Sequence, residues 1–386
     1  MTATADQHVI YLDYQATTPL DSRVLDAMLP YLTSAFGNPA SPHAPGHRAA
    51  EAVRTARRQV RDLIGANSDT EIVFTSGATE ADHLALAGIA HAFTGRRRHI
   101  ITTAIEHKAV LSTCRHLQGI GFDVTVLPVD CEGLVDPADV AAAITPATVL
   151  VSVMHANSEI GTIQPLAEIS AITRDCGVLL HTDAAQTLGS VRFDVDELGV
   201  DLASFSGHKF YGPKGVGALY VRRGSVRPVP QILGGGQEHG LRAGTLNVPG
   251  IVGLGAAAAL LVHQRDDDAR RILTLRNRLL GQLHDTVADL RVNGSLTRRL
   301  PGNLSVTFPG ADADQLLERL PGLALSTGSA CNTGQAEPSH VLTAIGITRA
   351  DARATLRISL GRPTTEHEVD TTARTLLLAL RGGDSH

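Results

Sequence analysis

Tryptophan is absent from this chain, and aromatic residues make up only 3% of it. With so few aromatic rings available, stacking of a planar ligand is expected to fall to histidine. Lysine is nearly as scarce: Lys108, Lys209 and Lys214 are the only three in 386 residues, and arginine carries the rest of the basic charge. Cysteine occurs four times, at Cys114, Cys131, Cys176 and Cys331. None has C-x-x-C spacing, so neither a disulfide framework nor a metal site is indicated. No basic block or acidic tail accompanies the net charge of −5, which argues against nucleic acid or an anionic membrane as the main partner. No apolar run approaches the length of a membrane span, and the first ten residues lack the apolar core of a signal peptide, so the expected compartment is the cytoplasm. The sequence contains no internal repeat or low-complexity tract.

The remaining composition, 43% hydrophobic and 19% charged, is ordinary for a globular enzyme, and the length allows two domains around a large core. Short apolar runs at 71–74, 100–103, 124–127, 148–155, 178–183 and 200–205 alternate with helical patterns such as 47–63, 81–92 and 137–143. That alternation predicts an α/β fold with a mostly parallel sheet. A small-residue helix is expected from 250 to about 263, then a charged one to about 290, and the change of character between them suggests a domain boundary. Beyond it, strands at 303–308, 324–326 and 355–359 alternate with helices at 312–319, 340–344 and 366–380, the pattern of a small α+β domain.

Lys209 follows the apolar run 200–205 and precedes a Gly/Pro turn. This places an amine at the C-terminal end of a strand, where open α/β sheets bind ligands. Burial there would lower its pKa and expose a nucleophile, a role arginine cannot take because its guanidinium stays protonated. The alternative is a solvated loop lysine. Asp183 ends the run 178–183, at a distance along the chain that leaves room for strand, loop and strand. A lysine to hold an aldehyde and an aspartate to keep a pyridine nitrogen protonated suit pyridoxal phosphate. The strand at 71–74 runs through Thr75-Ser76-Gly77-Ala78-Thr79-Glu80 into a helix, a geometry that aims free N–H groups at a phosphate. An ordinary N-cap by Ser76 or Thr79 is the alternative.

His181-Thr182-Asp183-Ala184-Ala185-Gln186 and Ser204-Phe205-Ser206-Gly207-His208-Lys209 resemble the two central motifs of cysteine desulfurases, in the class V aminotransferase family. The resemblance runs from Tyr11-Leu12-Asp13 to Gly361-Arg362. It implies pyridoxal phosphate fold type I: a large domain, 15–258, with a mostly parallel seven-stranded sheet, and a small domain, 1–14 and 259–386. It also implies a homodimer. By resemblance, Lys209 binds the cofactor's aldehyde, Asp183 its pyridine nitrogen and Gln186 its phenolic oxygen. His107 stacks on its ring and is a candidate acid/base. Ala78, Thr79, Ser206 and His208 form the phosphate cup, and Thr245 crosses to the partner's phosphate. Arg357, which is otherwise a surface charge, clamps the substrate carboxylate, and Asn38 sits on a substrate-side loop. Where the family reads Asn-Asn-Glu, this chain has Asn157-Ser158-Glu159, so either Ser158 substitutes with a shorter hydrogen bond or Asn157 takes over. Lys214, in Gly-Pro-Lys-Gly, reads as structural.

Cys331 lies in Ser329-Ala330-Cys331-Asn332-Thr333-Gly334, small and polar surroundings unlike those of a buried structural thiol. Its context and the stretch to Glu337-Pro338-Ser339-His340 resemble the desulfurase group with an extended catalytic loop. The implied reaction takes sulfur from L-cysteine, releases L-alanine and leaves a persulfide on Cys331 for an acceptor protein. Iron–sulfur cluster assembly, tRNA thiolation and DNA phosphorothioation all use such donors. The alternatives are another class V enzyme (an aminotransferase or a selenocysteine lyase) in which Cys331 is incidental, and a binding protein with a degenerate site.

Overall fold

A two-residue strand, β1 (Ile10–Tyr11), opens the computed structural model, which describes residues 9–381 apart from 94, 96, 328 and 331–336. Seven strands then form one sheet: β2 (Ile72–Thr75), β3 (His99–Thr103), β4 (Asp123–Leu127), β5 (Thr148–Ser152), β6 (Leu179–Asp183), β7 (Leu202–Ser206) and β8 (Gly217–Val221). Their spatial order is β2-β8-β7-β6-β5-β3-β4, and every pairing is parallel except those made by β8. The expected α/β class and mostly parallel sheet are therefore what the chain adopts. β5 and β7 are buried along their whole length, which is why they read as largely apolar, with small Ser and Thr, rather than as alternating in charge and hydrophobicity. The strand expected over 148–155 ends at Ser152, although Val153 and His155 still donate N–H bonds to His181 and Asp183 of the adjacent chain segment.

Helices cover the sheet, among them α1 (Ser22–Leu32), α2 (Ala44–Leu63), α3 (Ala78–Ala92) and α4 (Lys108–Gly119). The two helices expected between 250 and 290 are a single one, α5 (Val248–His284). The change of composition is real, but nothing in it breaks the backbone ladder. In the first half, Gly253 and Gly255 let Met28 of α1 and Ala56 of α2 approach to distances that a Cβ would forbid. In the second half, Ile272, Leu275, Leu279 and Leu283 enter a separate core with Leu304, Val306, Leu356 and Ile358. Contrary to expectation, α5 is long and apolar enough to cross a membrane. However, 56% of its most apolar window is buried within the protein, as in a core helix.

Beyond α5, β9 (Arg291–Val292), β10 (Asn303–Thr307), β12 (Ser326–Thr327) and β13 (Thr355–Ser359) form an antiparallel sheet in the order β12-β13-β10-β9. β11 (Leu323–Ala324) pairs with β1. A last helix, α6 (Glu366–Arg381), packs against α5.

Candidate active site

The C-terminal ends of β6 and β7 lie side by side, with Asp183 in register with Ser204. Asp183 is the last residue of β6, and Lys209 follows β7 after a single 3₁₀ turn, Gly207–Lys209. Both line a cavity of about 610 Å³, a size suited to a small cofactor. Lys209 Nζ donates to two backbone carbonyls, Gln15 at 2.6 Å and Ala16 at 2.9 Å, and to no carboxylate. Burial, with Arg357 nearby, pushes its pKa down to about 8, against the opposing pull of Asp183 and Asp13. Asp183 Oδ1 accepts from the Ala185 N–H at 2.9 Å. Burial raises its pKa, and Ala185, His107 and Lys209 oppose the rise.

The amine has a consequence for pH. Condensation with an aldehyde needs neutral Lys209, and with a pKa of about 8 roughly a tenth of it is neutral at pH 7. Uptake of pyridoxal phosphate by the apoprotein should therefore quicken about tenfold from pH 6 to pH 7 and level off above about pH 8. Stopped-flow absorbance would measure this, and a rate that is flat or falling over that range would contradict the assignment.

At one end of the cavity, β2 passes into α3 through Ser76-Gly77. The N-cap of α3 is Gly77, at φ 155°, and it makes no side-chain capping bond, so the N-terminal N–H groups remain available. The Ser76 N–H goes to Glu80 Oε2 at 2.8 Å, and Arg242 pairs with Glu80 Oε1 at 2.8 Å. Neither Ser76 nor Thr79 is the cap. Ala78, Thr79, Ser206 and His208 line this end. His208 bonds Thr17 Oγ1 at 3.1 Å, and burial, helped by Lys209 and Lys214, pushes its pKa down to about 4, so the ring is a neutral donor or acceptor.

His107 caps α4 through Nδ1, which accepts from Ala109 N at 3.2 Å, and its ring is exposed to the cavity. Donor atoms of His107, Asp183 and the buried Asp82 lie within 4.8 Å of one another. Gln186 lines the cavity, with Nε2 donating to the same Gln15 carbonyl that holds Lys209. Between the two residues left open by the sequence, geometry separates the roles. Ser158 lines the cavity, whereas the Asn157 side chain is spent on Ile105 O and on the Glu159 and Ile160 N–H groups, holding the turn. Arg357 enters from β13. Its Nη2 donates to Asp13 at 2.6 Å and Ser326 Oγ at 3.0 Å, its Nη1 donates to Ser158 O at 3.2 Å, and its buried Nε has no partner.

Two expected residues are elsewhere. Asn38 is exposed, outside the cavity lining, with Oδ1 accepting from Ala40 N. Thr245 is also exposed and outside the lining. Its loop is anchored by a buried pair: Arg57 donates to both carboxylate oxygens of Glu238 at 2.8 and 2.6 Å, and Glu238 also accepts from Phe74 N. Cys331 lies outside the described residues. The sequence reading missed the Gln15 and Ala16 carbonyls, Glu80, the fully buried Asp82 and Glu106, and the position of Lys214 on the cavity wall. An acid just ahead of the apolar run 84–90 of α3 was the available signal for Asp82.

The residues present fit pyridoxal phosphate: an amine held, among the described residues, by two carbonyls, a carboxylate beside it, and a helix N-terminus without a side-chain cap at the far end. A family model described as Aminotransferase class-V matches residues 10–372. The cysteine desulfurase IscS of Anaeromyxobacter dehalogenans is 52% identical over 363 residues, 94% of this chain and 90% of that protein. Among solved structures, one titled NifS-like protein superposes with a TM-score of 0.91 at 41% identity, covering 97% of this chain and all of that one. Another, titled SspA in complex with cysteine, superposes with a TM-score of 0.82 at 40% identity, covering 92% and 99%.

Proposed function

We infer the reaction from one premise: the chain belongs to the class V aminotransferase family, and within it is a cysteine desulfurase that works with pyridoxal phosphate. It takes the sulfur of L-cysteine, releases L-alanine and passes the sulfur to an acceptor protein. The observation that carries this reading is the juxtaposition of Lys209 and Asp183 in one cavity, in a chain 52% identical to a curated desulfurase.

When bound, pyridoxal phosphate supplies an aldehyde for amines and a protonated ring that draws electrons from the substrate's Cα. The residue roles that follow are proposals, and those of all but Asn38 and Cys331 are supported by a place in the cavity lining. Lys209 holds the aldehyde and, once displaced by substrate, moves protons with its Nζ. Asp183 keeps the proton on the pyridine nitrogen, and the low-dielectric setting strengthens that contact. His107 lies over the ring and exchanges protons with the thiol or the product. Gln186 and Ser158 bond polar atoms along the ring edge. Ala78, Thr79, Ser206 and His208 receive the phosphate. Arg357 presents its guanidinium to the substrate carboxylate, and Asn38 stands on the loop at the substrate side. Cys331 as thiolate takes the sulfur and holds it as a persulfide. The proposed compartment is the cytoplasm, where thiols stay reduced.

The domain division at 15–258 and 259–386, with 1–14 joining the latter, is supported by separate hydrophobic cores. A homodimer is supported by Leu25, Leu29 and Leu32, exposed along one face of α1, and by Phe36, which is 81% exposed. The exposed Thr245 would then reach the partner's phosphate, and sedimentation of the holoprotein as a monomer would remove that role.

Arg357→Ala tests the reading of the substrate clamp. Loss of a charge-assisted pair should raise KM for L-cysteine by about 10²-fold, with alanine release as the assay. An unchanged KM would return Arg357 to a structural role.

A further inference from the structure

Lys214 read as structural in the sequence, yet it is one of the residues that line the cavity. The reason is topological. Gly217 opens β8 between the ends of β2 and β7, in register with Thr75 on one side and Ser206 on the other. A Cβ on Gly217 would come within 2.7 Å of Gly77, so β8 begins pressed against the cup. The turn before it is pinned, because Gly207 N donates to Val216 O at 3.0 Å and Gly212 N to Gly207 O at 3.0 Å. Lys214, the third residue before Gly217, thus lies beside the cup, and its charge is felt by His208.

The charges at this end leave a deficit. A phosphate monoester carries close to two negative charges. Glu80 and Arg242 cancel each other, and His208 is neutral. Lys209 is committed to the aldehyde, and Arg357 is paired with Asp13. Lys214 is exposed and, among the described residues, makes no hydrogen bond or ion pair.

We propose that Lys214 is a phosphate-recognition residue, whose ammonium supplies the uncompensated positive charge at the cup. The proposal rests on the reading that this cavity holds pyridoxal phosphate. Lysine suits the task as a point charge, needing no fixed fork geometry. It makes cofactor retention dependent on ionic strength, since an exposed ammonium is screened by salt.

The test uses the apoprotein and two probes, pyridoxal phosphate and pyridoxal, which lacks the phosphate. Dissociation constants come from equilibrium dialysis for the wild type, Lys214→Gln and Lys214→Arg, in a series of salt concentrations. K214Q should weaken pyridoxal phosphate about tenfold and flatten its salt dependence, K214R should stay within about threefold of wild type, and all three should bind pyridoxal alike. Unchanged affinity of K214Q for pyridoxal phosphate would overturn the proposal. So would an equal loss of both probes, which would mean that Lys214 shapes the turn rather than reading the phosphate. A wild type that takes up neither probe would instead overturn the cofactor reading itself.

Discussion

Lys209→Ala should abolish the yellow absorbance near about 420 nm that borohydride fixes to the protein, and should lower alanine release from L-cysteine by at least about 10³-fold. Among the described residues the amine's hydrogen-bond partners are two main-chain carbonyls, and it makes no ion pair that the fold would lose. Truncation leaves the Gln15 and Ala16 carbonyls facing a cavity large enough for water, and thermal stability should fall little. Neither other lysine can take over. Lys214 stands at the cup, and Lys108 is exposed at the start of α4 and does not line the cavity. The variant should still take up pyridoxal phosphate, because the cup is intact, but dialysis should remove it. Absorbance that borohydride still fixed to the variant would place the aldehyde on another amine.

Cys331→Ala should give the complementary result: full absorbance and normal cofactor uptake, with sulfur transfer reduced by about 10³-fold or more. The other three cysteines offer no substitute. Cys114 is buried on α4, and burial, with Glu106 nearby, pushes its pKa up to about 12, which leaves the thiol inert. Cys131 and Cys176 are exposed, but neither lines the cavity. The two variants therefore separate the chemistry at the cofactor from the chemistry at sulfur. Unaffected alanine and sulfide release from Cys331→Ala would favour a lyase, with Cys331 incidental.

What could be read from the sequence follows the physics of each element. Lys209 and Asp183 were legible because one closely follows and the other ends a largely buried apolar run, and such runs in a βα alternation come to rest as neighbouring parallel strands. At the proposed phosphate cup the strand, small-residue turn and helix were legible, but not the detail that Gly77 is the cap while Glu80 takes the Ser76 N–H. The division within 250–290 was misread because packing partners change along α5 without any backbone break, and composition records the former only. The ambiguity of Asn157 and Ser158 was one of turn geometry. Asn157 accepts from residues 159 and 160, a local side-chain bond that turns Ser158 toward the cavity. The carbonyls that hold Lys209 could not be read at all, since every residue has one. The place of Lys214 on the cavity wall was not legible, because it depends on where β8 begins relative to β2, a register no local pattern encodes.

The central claim is that sulfur passes from L-cysteine to Cys331. Trypsin releases residues 320–349 as one fragment with Cys331 as its only cysteine. After the holoprotein is treated with L-cysteine, mass spectrometry of that fragment should show the gain of a single sulfur, with alanine released in equal amount. Alanine released while the fragment kept its unmodified mass would contradict the account.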